Sequence, residues 1–133
     1  MSITVKSTDK TDTVDVTDDV AAEVPSDLTS GTCTVFVQHT TAGVVVNERE
    51  SRLLSDIETA LGRIVPDEER YSHDEIDDNA AAHLRAIFLG ESVTVPVVDG
   101  DLDLGRWQSI LFVECDGPRT RTVEVTTTPA ASD

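Results

Sequence analysis

The apolar residues of this chain are gathered into short β-branched runs, and that feature limits its fold more than any other. Thr32-Cys33-Thr34-Val35-Phe36-Val37, Val44-Val45-Val46, the stretch 91–97 and Ser109–Cys115 are each too short for a buried helix and rich in the residues that suit a pleated surface. Alternating residues at 2–7 and 12–16 (Ile3, Val5; Val14, Val16), separated by Thr-Asp-Lys-Thr-Asp, predict an opening hairpin. Thr17 or Asp18 is expected to cap a short helix through Val24, ended by Pro25. The run 31–37 and the run around Val44–Val46 read as two central strands.

Only two segments change to helical period. From Ser51, the expected N-cap, Leu53, Leu54, Ile57, Leu61, Ile64 and Val65 recur at helical spacing until Pro66. Asp78 is the expected cap of a second helix, Asn79 to Leu89, with Leu84, Ile87 and Phe88 on one side and Gly90 past its end. Between them, residues 67–78 are too acidic for a core element and read as a long loop. After the second helix come a strand at 91–97, a hairpin turn at Val98-Asp99-Gly100-Asp101, a short return at Leu102–Leu104, the strand Ser109–Cys115, a turn at Asp116–Arg119 and a last strand, Arg121 to Thr128. The order predicts a single α+β domain over 1–128 with antiparallel sheets and two main helices, followed by a disordered tail at 129–133. Hairpin sheets leave open edges, which a symmetric oligomer would hide.

Charge narrows the function. The 133 residues hold 26 Asp plus Glu against 10 Lys plus Arg, a formal net charge of −16. That sign excludes a nucleic-acid or anionic-membrane partner bound through a bare basic patch. Lys6 and Lys10 are the only lysines among the bases, and dense carboxylates with few lysines predict a salt-rich cytoplasm, where screening over about 3 Å removes most self-repulsion. The N-terminal MSITVKSTDK lacks a signal-peptide core, and no stretch approaches the roughly 20 apolar residues of a membrane span, so a soluble cytoplasmic protein is expected. Cys33 and Cys115 lie inside apolar runs without CxxC spacing and read as small buried hydrophobes.

Three histidines are the scarcest chemistry in the chain: His39 at a strand end, His73 in the acidic loop and His83 on the second helix. Each has a carboxylate or amide nearby: Glu48 across the turn from His39, Asp74 beside His73, and Asn79 a helical turn before His83 with Asp78 at the cap. Imidazoles oriented by carboxylates are the usual arrangement of a divalent-metal site; the alternative is three polar residues on unrelated surfaces. Asp74, Glu75, Asp77 and Asp78 offer oxygen ligands of the kind Mg²⁺ takes, or are a solvated run. Glu48, in phase with Val46, is a candidate general acid or base, or else an exposed strand end paired with Arg49 or Arg52. Arg119, behind Asp-Gly-Pro, suits a phosphate, or makes a surface salt bridge. Trp107, next to Gln108, suits a planar ring, or belongs to a core or an interface. The absence of Walker A, GxGxxG, GxSxG and CxxC patterns leaves nucleotide hydrolysis, dinucleotide redox and serine hydrolase classes without support.

Gln38-His39-Thr40-Thr41-Ala42 with Asn47-Glu48, Val65-Pro66, Tyr71-Ser72-His73-Asp74, Asp77-Asp78-Asn79 with His83-Leu84, Leu89-Gly90-Glu91-Ser92, Val95-Pro96-Val97 and Gly105-Arg106-Trp107-Gln108, taken in order, resemble the YjbQ family, also described as secondary thiamine-phosphate synthase-like proteins. The resemblance implies a compact α+β domain with a β-sandwich-like core, a homotrimer, and a polar pocket near the subunit boundary. It carries over His39 to Ala42, His73-Asp74 and His83; joined to the residue readings above, the expected site has His39, His73, His83 and Asp78 holding a divalent metal, Zn²⁺ or Mg²⁺, Glu48 and Asp74 acting in catalysis, and Thr40, Asn47, Trp107, Gln108 and Arg119 meeting the substrate. The activity attributed to the family joins hydroxymethylpyrimidine diphosphate to a thiazole phosphate and releases diphosphate, so a small phosphorylated heterocycle is the expected partner. A non-catalytic metal- or ligand-binding trimer is the other expectation.

Overall fold

The computed structural model describes residues 1–131. Its order is β1 (Ser2–Lys6), β2 (Asp12–Asp15), α1 (Thr17–Ala22), β3 (Ser30–Val37), β4 (Ala42–Asn47), α2 (Ser51–Ile64), α3 (Asp74–Asp77), α4 (Ala80–Leu89), β5 (Ser92–Val98), β6 (Asp101–Leu102), β7 (Ser109–Glu114) and β8 (Thr120–Pro129). The strands form two antiparallel sheets, a five-stranded one ordered β1-β8-β3-β5-β6 and a three-stranded one ordered β2-β7-β4. This is the expected α+β domain with a sandwich-like core.

Period-two alternation sets the layers. Cys33, Val35 and Val37 of β3, Val95 and Val97 of β5 and Val123 and Val125 of β8 meet Val44 of β4 and Ile110 and Phe112 of β7 in one buried cluster between the sheets. The alternate residues of β7 face the other way: Val113 and the following Cys115 pack with Leu61 of α2 and Ala82 of α4. The strand β7 is thus buried on both faces, which is why it reads as a continuous apolar run. Both cysteines are buried free thiols, as expected; burial pushes Cys115 up to about 11, the charges of Arg85 and Glu114 adding smaller opposed effects.

Several local readings change. The first two strands do not form a hairpin: β1 pairs with β8 and β2 with β7, so the chain crosses from one sheet to the other between them. Alternation marks a buried face; it does not name the partner strand, and here β7 and β8 supply both partners from the far end of the chain. Nor is β4 central, since it lies at an edge of the three-stranded sheet. Helix α1 ends at Ala22, with Asp15 Oδ1 accepting from the Thr17 N–H (2.9 Å) and hydroxyl (2.6 Å) in place of a cap by Thr17 or Asp18. Glu50, one residue before the expected Ser51, caps α2 by accepting from Leu53 N–H at 2.7 Å. The 67–78 loop holds the short helix α3. Asp78 does not cap α4: it takes a left-handed conformation (φ 47°), and Asp74 Oδ1 accepts the Ala80 N–H at 2.9 Å. At the C-terminus β8 runs through Pro129 and Ala130 N–H donates to Ser30 O at 2.9 Å, so the expected tail begins ordered; Ser132 and Asp133 lie outside the described residues.

Helix α4 is turned opposite to its expected orientation. Ala80, Ala81, Ala82, Arg85 and Ala86 are buried, while Ile87 and Phe88 are 74% and 68% exposed. The end of α4 lies close on β4, where a Cβ on Gly43 would stand 2.7 Å from Gly90 O and Leu89 Cβ. Arg85, 3% exposed, donates from Nε (3.1 Å) and a terminal nitrogen (2.6 Å) to Val65 O and lies 3.3 Å from Asp67, tying α4 to the end of α2.

Candidate functional site

The three histidines come together along one face. His39 follows β3, His73 precedes α3, and His83 sits on α4 between them. His83 and His39 line a cleft of about 310 Å³ with Thr40 and Ile87; His83 and His73 line a second of about 540 Å³ with Arg70, Tyr71 and Ser72. The His73 and His83 ring centroids are 4.6 Å apart, edge to face. The Tyr71 hydroxyl donates to Pro66 O at 2.7 Å, which holds the loop carrying His73 against the end of α2.

Behind this face is a polar network that charge counting alone does not reveal. Glu114, fully buried at the end of β7, pairs with Arg121, 4% exposed near the start of β8. Both continue the inward phase of their strands, so the pair bridges the two sheets at one mouth of the sandwich. Glu114 also accepts from Ser7 Oγ (2.8 Å) and Asp116 N–H (3.1 Å), and Arg121 donates to Thr41 Oγ1 (2.9 Å). Burial works to raise the Glu114 pKa, yet the bonds from Arg121, Ser7 and Asp116 N–H hold the carboxyl below the usual range. Gly117 lets the following turn fold over this network, since a Cβ there would stand 2.3 Å from Asp9 O and 2.6 Å from Ser7 Oγ. Asp116 extends the network outward. Its Oδ2 accepts from Asn79 Nδ2 and from the Arg119 guanidinium, both at 3.1 Å, and Asn79 Oδ1 lies 3.0 Å from His73 Nε2. On the other side Thr122 N–H donates to His39 Nε2 at 3.0 Å. Burial, then the Arg121 charge, lowers the His39 pKa below the ordinary imidazole value.

The other expected site residues lie elsewhere. Glu48 is half-buried and lines a cleft of about 290 Å³ with Asn47, Trp107 and Gln108. That cleft is at the Asn47↔Ser109 end of the β4–β7 ladder, whereas His39 precedes the Ala42↔Glu114 end; five steps of strand separate them, about 17 Å. Within one chain Glu48 therefore does not face His39. Trp107 has the Arg106 guanidinium 4.9 Å from its ring centroid, and Gln108 Oε1 accepts from Gly105 N–H at 2.7 Å. Asp74 and Asp78 line a small acidic cleft of about 160 Å³ with Asp67, Asp116 and Lys10, behind the histidine face. Arg119 reaches Asp116 and borders a separate cleft with Lys6.

As for a metal, His73 and His83 offer two neighbouring imidazoles, but among the described residues no group of three or more His, Cys, Asp or Glu is arranged to hold an ion within one chain. Two imidazoles fit part of a divalent shell, and further ligands would have to come from substrate oxygens or a second copy. Asp78 is not beside them.

Sequence reasoning missed Ser7, Arg85, Glu114, Asp116 and Arg121. For Glu114 and Arg121 a signal existed: each is a charged residue in phase with inward apolar positions, 110 and 112 in one strand and 123 and 125 in the other, and a charge there must be paired.

A family model described as UPF0047 protein YjbQ-like matches residues 1–130. The chain belongs to the YjbQ family. Curated YjbQ-family relatives include a UPF0047 protein of Archaeoglobus fulgidus, 47% identical over 94% of this chain and 98% of its own length, one of Methanothermobacter thermautotrophicus, 46% identical over 91% and 85%, and YugU of Bacillus subtilis, 35% identical over 91% and 92%. Among solved structures, the fold matches a hypothetical protein from Aeropyrum pernix with a TM-score of 0.94 at 41% identity, covering 98% of both chains, and a YbjQ-like protein of unknown function from Sulfolobus solfataricus with a TM-score of 0.91 at 42% identity, covering 94% and 92%. Among the described residues no helix is long and apolar enough to cross a membrane.

Proposed function

We propose that the histidine face is the ligand site of a YjbQ-family transferase that joins hydroxymethylpyrimidine diphosphate to a thiazole phosphate, in a homotrimer of acidic, salt-adapted cytoplasmic subunits. The observation that carries this reading is the placement of the chain's three histidines along two clefts that share His83 as a wall.

In the reaction the thiazole nitrogen attacks the pyrimidine methylene carbon while the carbon–oxygen bond breaks and diphosphate leaves with the electron pair. The residues around the face suit parts of this step. Arg70, without an ion-pair partner among the described residues, and the imidazoles of His73 and His83 border a cleft whose own lining holds no carboxylate, and they are the groups there that can face an anion. Leu84 and Tyr71 give the same cleft an apolar and aromatic wall for a heterocycle. A divalent metal, Zn²⁺ or Mg²⁺, bound at His73 and His83 would neutralise charge on the departing diphosphate.

Two features support the trimer. Ile87 and Phe88 are exposed beside His83, an apolar face that a second copy would cover, and the residues resembling the family motifs are divided between two ends of the three-stranded sheet. Packing copies with the Trp107 end of one against the histidine face of the next would rejoin Glu48, Asn47, Trp107 and Gln108 with His39, His73 and His83.

The second reading, a ligand-binding trimer without catalysis, is favoured by the scarcity of free cations: Arg85, Arg119 and Arg121 are all held by acceptors of the chain itself. Incubating purified protein with both phosphorylated substrates and Mg²⁺ or Zn²⁺, and measuring thiamine phosphate, separates the two. The transferase reading expects product that His83→Ala abolishes; product unaffected by His83→Ala, or none with either metal, contradicts it. The salt-adaptation element is checked by melting in dilute buffer and molar KCl, where equal stability would count against it.

A further inference from the structure

The hydrogen bonds around His39 and His73 determine which nitrogen of each ring carries its proton, and they do so in opposite senses. At His39 the partner is a backbone N–H, that of Thr122, one residue past the last β3–β8 pair, Val37↔Val123. An amide N–H can only donate, so Nε2 presents its lone pair and the neutral ring is protonated on Nδ1. At His73 the partner is Asn79, whose orientation is settled by its other contact. Asn79 Nδ2 donates to Asp116 Oδ2, a carboxylate oxygen that also accepts from the Arg119 guanidinium. The amide oxygen therefore faces His73, Nε2 of His73 must be the donor, and its lone pair is on Nδ1.

Both arrangements are anchored to the same buried pair. Glu114 accepts from Asp116 N–H, fixing the residue that orients Asn79, and Arg121 bonds Thr41, two residues from His39, and directly precedes Thr122.

We propose that His39 and His73 serve the site as opposite tautomers, His39 donating a hydrogen bond from Nδ1–H to an anionic oxygen of the ligand and His73 offering the Nδ1 lone pair to a metal ion or a proton, with Asn79 and Asp116 as positioning residues. This rests on the reading of the histidine face as the ligand site. Under it His39 is not a metal ligand: its Nε2 lone pair is engaged by Thr122 and its Nδ1 is protonated. The role of metal ligand falls to His73, oriented through its far nitrogen as ligating imidazoles usually are.

The test uses the full chain, metal-free, with ¹⁵N-labelled histidine at about pH 8, some 1.5 units above the ordinary imidazole value of about 6.5. Long-range ¹H–¹⁵N spectra should show His39 protonated at Nδ1 and His73 at Nε2; the same tautomer in both rings, or averaging in either, overturns the proposal. Asn79→Ala should let His73 average between tautomers and leave His39 unchanged. Asp116→Ala, which removes the acceptor that orients Asn79, should do the same if Asn79→Ala fails to fold. An unmoved His73 in the folded variant contradicts the positioning role. Adding Zn²⁺ alone should shift His73 Nδ1 while His39 keeps its Nδ1 proton, and loss of that proton on metal addition counts against the assignment. None of these readouts needs product, so a failed transferase assay leaves them standing and the reverse holds as well.

Discussion

Helices α2 and α4 pack on the same outer face of the three-stranded sheet, yet they present opposite kinds of residue to it. In α2 most of the helical-period apolar residues point inward as amphipathicity predicts, with Leu61 buried and Leu53, Leu54 and Ile57 half-buried, while Ile64 in the last turn is exposed. In α4 the inward side is alanine plus one arginine, and the large apolar residues Ile87 and Phe88 point away. The difference lies in spacing. The end of α4 lies against Gly43 of β4 so closely that a Cβ there would stand 2.7 Å from Leu89 Cβ and Gly90 O, and along the rest of its inward side α4 presents alanines, whereas α2 presents Leu61 to the same cluster. An apolar stripe therefore says that something covers a helix face without saying whether it is the chain's own sheet.

Substitutions on the two helices sharpen this contrast. Leu61→Ala, at the buried point of α2, is expected to cost the most, about 3 kcal/mol of unfolding free energy in urea titrations. Arg85→Met removes the donors to Val65 O and should cost about 2 kcal/mol, more than expected for a residue whose helix neighbours are alanines. Gly43→Ala should cost about 1–2 kcal/mol, because the atoms its Cβ meets include the Gly90 carbonyl, which cannot rotate away. The smallest effect on folding, within about 0.5 kcal/mol, is expected for Ile87→Ser with Phe88→Ser; the same double variant should convert the proposed trimer to monomer in sedimentation velocity. A large folding loss there would mean that α4 uses its outer face within one chain.

Acid stability gives a further check on the sheet beneath the helices. The folded-state pKa of Glu114 is depressed, so its contribution is present above the ordinary carboxylate value of 4.5 and is lost as pH falls through the lower folded value. Melting curves from pH 6 downward should show a loss of stability, to which the depressed Glu50 and His39 also contribute, that Glu114→Gln with Arg121→Met makes shallower; an unchanged pH profile in that double variant would show that the pair is not a source.

Much of the fold was legible because period and turn chemistry are local. Strands β3, β5, β7 and β8 and helices α2 and α4 come within a few residues of expectation. The partners of β1 and β2 were not legible, since both lie at the far end of the sequence and alternation does not encode distance along the chain. The site was half legible. Three scarce histidines were expected to converge and do lie on one face, while Glu48 and Trp107, carried by the other end of β4–β7, do not join them in a single chain. Asp74 and Asp78, adjacent to His73 and Asn79 in sequence, face a different cleft because α3 and the left-handed Asp78 turn the backbone between them.

The central claim is that His39, His73 and His83 together form the ligand site. Titrating the ¹⁵N-histidine-labelled protein with hydroxymethylpyrimidine diphosphate, and following all three rings in one series of spectra, tests it most directly. Saturable shifts of all three at a common midpoint are predicted; histidine signals that stay in place while the ligand binds elsewhere, or does not bind, would contradict the account.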